Sequence, residues 1–369
     1  MQSRALVARA FGAAAELTTI DVPPPAAGEV RLRMVASGVC GSDSHVLHGP
    51  STAVRIPTVL GHEGAGIVEA VGPGVTSVRA GDHVVVGLGI WCGTCYYCVS
   101  GNPSLCESRE RIDSMFGLRP DGRTRVTEAG EDLHTFLGVG TLAQYALTPA
   151  RQVVVVDPDL PLDELCLMGC GVLTGVGAAL NTAQVRPGET VAVIGCGGVG
   201  LSVVQGARIG GATTIIAVDQ VPGKLDLARK LGATHGVDSS AGDVGEQVRA
   251  VVPRGVDHAF EVVGRPELVA LALTLARPGG TAYMVGILPP RSQITITRES
   301  LMGERRLMSS SGGSVVSAFG IPRLVELYRA GALNLADMIS QRLPLDEVHA
   351  AFTAMERGSA ARSVVTLWP

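Results

Sequence analysis

The sequence lacks clustered positive charge and long apolar runs. Thirty basic and 34 acidic side chains give a formal net charge of −4. Because no segment concentrates Lys and Arg, the chain has no basic surface of the kind that a phosphate backbone requires, and we expect no nucleic acid among its partners. No uncharged apolar run approaches the ~20 residues of a membrane-spanning helix, so we expect no membrane association.

Cysteine is scarce, with 8 residues in 369, and the N-terminus lacks the apolar core of a leader. The opening segment combines Arg with small residues, as targeting segments do, but Arg9 and Glu16 interrupt it. We therefore interpret it as part of the folded protein. We also expect a cytoplasmic location, where thiols stay reduced and clustered cysteines bind metal more often than they form disulfides.

The chain length favours two domains. The first part consists of short strand-like runs divided by glycine, such as GEVRLRMVA (28–36), and predicts an antiparallel, turn-rich region. From about residue 172, continuous apolar strands alternate with helical runs, which predicts a parallel sheet covered on both faces. The last segment is expected to return to the first domain. The predicted domains are 1–171 with 315–369, and 172–314.

The segment VAVIGCGGVG (191–200) carries the spacing G-x-G-x-x-G between a strand and a helix. Glycines at these positions permit a tight turn, let the backbone approach a pyrophosphate, and let the helix pack closely on the strand. Asp219 ends the next strand, where a carboxylate accepts a ribose hydroxyl and repels a 2′-phosphate, which favours NAD over NADP. The alternative is a glycine-rich turn in an unrelated doubly wound domain, with Asp219 as a helix cap. The predicted cofactor-binding loop comprises Gly195, Gly197, Gly198, Val199 and Gly200.

Four of the cysteines fall within WCGTCYYCVSGNPSLC (91–106). Cys92, Cys95, Cys98 and Cys106 follow the spacing C-x2-C-x2-C-x7-C, whose short spacers let thiolates converge on one ion. Four thiolates close a tetrahedral zinc site without a position for substrate, so we predict a structural zinc that holds the loop together. Two alternatives stay open: a pair of disulfides, which a reducing compartment disfavours, and an iron–sulfur cluster, whose usual spacings differ.

Three further residues are candidate ligands of a second metal: Cys40 in GVCGSDSH, His62 in GHEGAG and Cys170 in MGCGVLTG. Taken singly, a buried cysteine or a hydrogen-bonded histidine is an ordinary core residue, and we interpret Cys166 and Cys196 in that way. Because the three candidates are far apart in sequence, their spacing alone leaves a joint site undecided.

In their order along the chain, GVCGSDSH, GHEGAGIVEAVG, the four-cysteine segment, GCGVLTG and GCGGVG resemble the zinc-containing medium-chain alcohol dehydrogenases. The resemblance covers nearly the whole chain, and DGRTRVTEAGEDLHTFLGVGTLAQY is similar to the dimeric liver-type branch. It implies an α/β protein with a GroES-like, mostly-β catalytic domain and a Rossmann coenzyme domain. It further implies a homodimer with two zinc ions per chain, and hydride transfer between an alcohol and NAD.

The resemblance also implies roles for particular residues. Cys40, His62 and Cys170 would hold the catalytic zinc, with one position left open. Ser42 would take the substrate proton and His45 would pass it to solvent. The resemblance implies that Asp43 orients the His62 ring and that Glu63 assists exchange of the zinc ligands. It implies that the cofactor is contacted by Thr174, Lys224, Val285, Ile287 and Arg362. It also implies that the substrate pocket is lined by Leu88, Phe136 and Ile287.

Two departures bear on activity. Many liver-type relatives carry a basic residue after the first zinc cysteine, where Gly41 stands here, which removes a charged contact to the pyrophosphate. Leu88 replaces an aromatic ring of related chains, so we expect a wide apolar pocket and a bulky primary or aromatic/allylic alcohol as substrate.

Three rival functions stay open. In a formaldehyde–thiol adduct dehydrogenase, acidic and basic residues would anchor the adduct; Ser51 and Thr52 offer no acid, although Arg109 or Arg111 could bind an anion. A zinc-free quinone or enoyl reductase would need none of the three scattered ligands, and a zinc-lobe binding protein would bind no cofactor.

Overall fold

The structure is a computed structural model that describes residues 1–49 and 54–368. The chain forms two compact units. The first consists of Met1–Cys170, Val315–Ala330 and Ile339–Pro369, and the second of Gly171–Ser314 and Gly331–Met338. The segment Gly331–Met338, which the sequence analysis placed in the first domain, therefore packs with the second unit.

The first unit begins with ten strands. They are β1 (Gln2–Ala8), β2 (Glu16–Asp21), β3 (Glu29–Gly38), β4 (Thr58–Val59), β5 (Glu63–Val71), β6 (His83–Val86), β7 (Val126–Glu128), β8 (Glu131–Thr135), β9 (Tyr145–Pro149) and β10 (Val153–Val156). Strands β1, β2, β7, β8 and β4 close a barrel. The expected antiparallel arrangement fails at one point, because β4 closes the barrel by pairing parallel to β8.

Three short helices lie between these strands, α1 (Gly41–His48), α2 (Tyr96–Val99) and α3 (Arg109–Met115), and α4 (Leu162–Leu165) follows β10. Helix α1 begins shortly after β3, where Cys40 has an extended backbone, and it ends at His48 with Gly49 as its C-cap residue. Helix α3 is capped by Ser108, whose side chain accepts the N–H of Arg111. The chain turn between β3 and α1 is the one that presents the first candidate zinc cysteine.

The second unit alternates strands with helices. Its elements are α5 (Gly171–Gly177), β11 (Thr190–Ile194), α6 (Gly198–Ile209), β12 (Thr214–Asp219), α7 (Pro222–Leu231), β13 (His235–Asp238), α8 (Val244–Val251), β14 (Val256–Glu261), α9 (Pro266–Leu275), β15 (Ala276–Met284), α10 (Arg298–Leu301) and β16 (Arg306–Ser309). The strands form a sheet in the order β13-β12-β11-β14-β15-β16, with every pair parallel. This is the predicted doubly wound arrangement.

The central strands are apolar along their length because both faces of the sheet are covered. Four of five residues in β11 and four of six in β12 are buried. The two edge strands, β13 and β16, were not predicted. Each has four residues, and only Val237 among them is buried.

The last part of the chain returns to the first unit as α11 (Ser317–Arg329), β17 (Ile339–Pro344), α12 (Val348–Glu356) and β18 (Arg362–Thr366). Strand β18 pairs antiparallel with β3 and extends a sheet of order β10-β6-β5-β3-β18-β17, with β9 also paired to β3. In the described part of the chain no single helix is long and apolar enough to cross a membrane, although the bent pair Leu162–Gly169 and Gly171–Thr182 passes by length and composition if counted together.

Candidate metal and cofactor sites

The four clustered cysteines converge in the first unit, with all four sulfur atoms within 4.8 Å of one another. The Cys92 sulfur lies 3.9 Å from that of Cys98 and 3.6 Å from that of Cys106. Zn–S bonds of about 2.3 Å in a tetrahedron place sulfurs about 3.8 Å apart, so the cluster fits zinc. A disulfide requires an S–S distance of about 2.05 Å, and the four clustered cysteines form no disulfide.

Backbone N–H groups stabilise thiolates in this cluster. Thr94 and Cys95 donate to the Cys92 sulfur at 3.4 and 3.3 Å, through a turn in which Gly93 has φ +78°. The Thr94 N–H is the main cause that lowers the pKa of Cys92 to about 5. The Arg111 guanidinium also closes the lobe, because its Nη1 donates to the carbonyls of Ser104 at 2.8 Å and Cys106 at 3.2 Å.

A second group of ligand atoms comes from Cys40, His62, Glu63 and Cys170, again within 4.8 Å of one another. Cys40 follows β3, His62 and Glu63 stand at the start of β5, and Cys170 ends the first unit's continuous N-terminal segment. The fold thus brings together residues that sequence spacing left unconnected. Cys40 is 6% exposed and His62 is fully buried.

Asp43 orients the His62 ring. One oxygen of this buried carboxylate lies 3.2 Å from Nδ1 of His62, and the other accepts the Gly61 N–H at 2.8 Å. Gly61 has φ +91°, and a Cβ there would lie 2.3 Å from the Leu142 nitrogen. Any side chain at this position would therefore displace the strand start that carries His62.

The electrostatics of this group suit a divalent cation. Burial opposes a charged His62, but the carboxylate of Asp43 and the thiolate of Cys40 raise its pKa to about 10. A hydrogen bond from Cys170 lowers the pKa of Cys40 well below its usual range, against the effect of burial. The His62 Nε2 has no oxygen or nitrogen partner among the described residues. Two thiols and an unpaired, buried imidazole nitrogen are the donor set that zinc prefers.

Glu63 is fully buried and its carboxylate pairs with the guanidinium of Arg362, which is 6% exposed. Gly38 makes room for the pair, because a Cβ there would lie 2.4 Å from the Glu63 Oε2. Arg362 was predicted to contact the cofactor. That role stays a prediction.

Helix α1 carries the predicted proton path. Ser42 is half-buried, with its Oγ 3.8 Å from the Cys40 sulfur, and His45 is exposed. Residues three apart lie on one face of a helix. The helix therefore leads from the candidate metal group to solvent.

Two of the predicted pocket residues lie in the first unit. The Phe136 ring is buried and packs edge-on against the His62 ring, with centroids 5.1 Å apart. Leu88 is half-buried, and its N–H donates to the Ser317 Oγ at 2.8 Å. Ile287 belongs to the second unit, where the residue is 58% exposed.

The glycine loop in the second unit has the geometry that the sequence predicted. Gly195 has φ +101°, a Cβ on Gly200 would lie 1.8 Å from the Gly195 oxygen, and a Cβ on Gly197 would meet nothing within 4 Å. Gly200 therefore permits close packing of helix on turn, whereas Gly197 leaves backbone open to a ligand. Helix α6 begins at Gly198 and points its first N–H groups towards the loop.

Asp219 ends β12 beside this loop. Its oxygens accept the N–H of Cys196 at 2.8 Å and of Val221 at 3.0 Å, so the carboxylate also holds the loop in place. Lys224 lies in the first turn of α7, Thr174 within α5, and Val285 directly after β15. Cys166 and Cys196 belong to neither metal group, and burial raises the pKa of Cys196 to about 12.

Sequence reasoning missed two residues that shape these sites. Arg111 was considered only as an anion anchor, and Glu261 was not considered. The signal for Glu261 was available, because an acidic residue in EVVG follows the apolar pair Ala259–Phe260 at the same sheet edge as the glycine loop.

A parallel sheet with a dinucleotide loop, accompanied by two zinc-type ligand groups, defines a zinc-dependent dehydrogenase with a nicotinamide cofactor. Family models described as an alcohol dehydrogenase GroES-like domain and a zinc-binding dehydrogenase match residues 26–159 and 198–327. The chain belongs to the zinc-containing medium-chain alcohol dehydrogenase family, as its motifs predicted.

Individual relatives resemble this chain over its whole length. The S-(hydroxymethyl)glutathione dehydrogenase of Synechocystis sp. is 38% identical over 368 residues, which cover 99% of this chain and 100% of the relative. The structure of an alcohol dehydrogenase zinc-binding domain protein from Burkholderia ambifaria is 36% identical, with a TM-score of 0.93 and 100% of both chains covered. The structure of benzyl alcohol dehydrogenase from Acinetobacter calcoaceticus is 32% identical, with the same TM-score and coverage.

Proposed function

We propose that this protein oxidises a bulky, uncharged primary or aromatic/allylic alcohol to its aldehyde, with NAD as the hydride acceptor. The observation that carries the proposal is the Phe136 ring, which lies edge-on against His62 and gives the candidate metal group an apolar wall. Leu88 in place of an aromatic ring widens that wall. The similarity to benzyl alcohol dehydrogenase supports the same substrate class.

In this proposal Cys40, His62 and Cys170 hold the catalytic zinc, and the four-cysteine lobe holds the structural one. Bound there, zinc acidifies a hydroxyl group and polarises a carbonyl, while NAD carries the redox chemistry. Asp43 orients the His62 ring through the carboxylate oxygen that lies 3.2 Å from Nδ1, as ligating imidazoles require. Glu63 supplies a carboxylate oxygen within reach of the same ligand atoms.

The chain's own residues then move the proton. Ser42 Oγ accepts the substrate proton as its own hydroxyl proton moves on towards His45, and the exposed His45 imidazole releases a proton to solvent. Because the His45 ring is exposed, it can exchange protons directly with water.

NAD is proposed over NADP because of Asp219. Its carboxylate stands at the end of β12 beside the glycine loop, where it accepts a ribose hydroxyl and repels a 2′-phosphate. Comparing kcat/KM for the two cofactors tests this choice. A preference for NADP would contradict it.

A formaldehyde–thiol adduct is the second candidate substrate, because the Synechocystis relative is named for S-(hydroxymethyl)glutathione. The two arginines considered as anchors for such an anion are already engaged: Arg109 pairs with Asp113 at 2.7 Å, and Arg111 binds carbonyls of the zinc lobe. Ser51 and Thr52 lie outside the described residues.

A substrate panel separates the two candidates. The kcat/KM should rise from ethanol to hexanol and benzyl-type alcohols by roughly fourfold for each buried methylene, which corresponds to about 0.8 kcal/mol. Leu88→Phe should reverse part of that rise, while Leu105→Phe, on an exposed residue of the zinc lobe, should not. Activity with only the glutathione adduct of formaldehyde would favour the second candidate and contradict the first.

We further propose that the protein is a cytoplasmic homodimer. Support for a dimer comes from the edge strand β16 and the residues before it, where Leu301, Met302 and Met308 are about half exposed. Light scattering of the purified protein tests the dimer, and Met308→Glu should weaken it if this edge is the interface. A monomeric wild type would contradict the proposal.

A further inference from the structure

Glu261 lies between two strand ends of the second unit, and each of these strands leads into a segment proposed to bind the cofactor. It is the last residue of β14, paired with Ile194 of β11 on one side and Met284 of β15 on the other. Ile194 leads into the glycine loop, and Met284 leads into Val285 and Ile287, which are proposed cofactor contacts. The side chain of Glu261 is fully buried.

The carboxylate holds the turn that follows its own strand. Its Oε1 accepts the N–H groups of Val263 at 2.8 Å, Gly264 at 2.7 Å and Arg265 at 3.4 Å. Without this oxygen, two short backbone hydrogen bonds are lost, the buried one from Gly264 and the partly buried one from Val263.

The same residue holds the neighbouring segment through its backbone. The Glu261 carbonyl accepts the N–H of Val285 at 2.8 Å and of Gly286 at 3.0 Å. A Cβ on Gly286 would lie 2.9 Å from the Glu261 Oε2, and a Cβ on Gly264 would lie 2.3 Å from the Ile287 carbonyl oxygen. The backbones of segments 262–265 and 285–287 are therefore in close contact, and the Glu261 carboxylate lies beside them.

The Oε2 atom is buried and has no hydrogen-bond partner among the described residues. Burying a carboxyl group lowers the stability of the fold when only one of its oxygens is hydrogen-bonded, here to a turn, and the other has no partner. Apolar side chains would fill the space at lower cost, which indicates that the group is retained for what it positions.

We propose that Glu261 is a positioning residue that fixes segments 262–265 and 285–287 against each other and thereby sets the affinity for the nicotinamide cofactor. This inference rests on the proposed function, because it takes Val285 and Ile287 as cofactor contacts. Glu261 acts through these backbone segments and does not take part in proton transfer.

The test compares Glu261→Ala, Glu261→Gln and the exposed control Glu267→Gln in zinc-loaded protein. Glu261→Ala should weaken NADH binding, measured by fluorescence titration without substrate, by about tenfold or more. The KM for NAD should rise in the same proportion, while kcat at saturating NAD stays within about threefold. Glu261→Gln keeps an oxygen acceptor and should lie within about threefold of wild type in every quantity, as should Glu267→Gln.

The outcomes separate this inference from the proposed function. If the wild type binds NADH and Glu261→Ala binds it equally well, or loses kcat with unchanged NADH affinity, the positioning role is wrong. If Glu261→Ala does not fold, Gly286→Ala displaces the same two segments, because its Cβ would lie 2.2 Å from the Gly264 nitrogen. Unchanged NADH binding in that variant would equally overturn the inference. A wild type that binds NADH but oxidises no alcohol would contradict only the proposed function.

Discussion

Replacing Asp43 by Ala should separate the catalytic zinc from the rest of the structure. The substitution removes two contacts in a buried place: the 3.2 Å approach to His62 Nδ1 and the 2.8 Å hydrogen bond from the Gly61 N–H. The imidazole is then free to turn away from the two thiols. The strand start that carries it also keeps an unpaired N–H.

Each loss has an expected size. An unpaired buried backbone group costs about 1–3 kcal/mol, so the unfolding free energy of the zinc-free protein should fall by that amount. Loss of the partner of a ligating imidazole typically weakens metal binding about 10- to 100-fold, which is about 1.4–2.8 kcal/mol at the metal site. Asp43→Asn keeps one acceptor oxygen for two donors and should give an intermediate result.

The assay is zinc content after dialysis against a chelator of graded strength. Wild type should retain two zinc ions per chain at chelator concentrations where Asp43→Ala retains one, and NADH binding should persist in both. If Asp43→Ala loses neither zinc affinity nor stability, then Asp43 does not hold His62, and the account of this site is wrong.

Four further predictions follow from the same sites. Cys92→Ser should lower the folding yield, because the binding energy of a structural zinc is folding energy; an unchanged yield and two retained zinc ions would refute this. Asp219→Gly should weaken NAD and improve NADP as cofactor, and steady-state kinetics with both cofactors should detect the change. His45→Gln should slow alcohol oxidation most below neutral pH and be partly rescued by small buffer bases, whereas an unaltered pH profile would remove His45 from the path. Without zinc, His62 has a pKa of about 10, so zinc must displace its proton. The apparent affinity for zinc should therefore fall as the pH drops from 9 to 6, by up to about tenfold per pH unit for each displaced proton, and a competition titration measures it.

The parallel sheet and its loop were predictable because their causes are local. Buried strands such as β11 and β12 require continuous apolar runs, and the loop requires glycine where a Cβ would meet backbone at 1.8 Å. These constraints appear in the sequence whatever the rest of the chain does.

The edge strands escaped prediction for the opposite reason. HGVD and RLMS are four residues long, mostly solvent-accessible and without a periodic apolar pattern. They are strands because a neighbour offers an open edge, and a single sequence does not reveal that neighbour. The parallel β4–β8 pair has the same origin in barrel closure.

The metal sites divide along similar lines. The four-cysteine lobe was predictable from spacing, since its ligands lie within one loop. Cys40, His62 and Cys170 meet only once distant segments of the first unit have folded, so their grouping was predicted from family resemblance and not from spacing. The engagement of Arg111 with zinc-lobe carbonyls depends on side-chain placement that no motif encodes.

The spacing of the sulfur atoms in the four-cysteine lobe determines how the purified protein oxidises once zinc is lost. The Cys92 and Cys106 sulfurs are 3.6 Å apart, about 1.5 Å more than a disulfide bond, and the low pKa of Cys92 keeps a reactive thiolate available. Zinc masks this thiolate while it is bound. After chelation in air, oxidation would join the two sulfurs and withdraw half of the ligands, so added zinc alone would not restore the lobe. Chelation under reductant leaves four thiols and should be fully reversible. The zinc content of a preparation therefore depends on whether it was exposed to oxidant while zinc was absent.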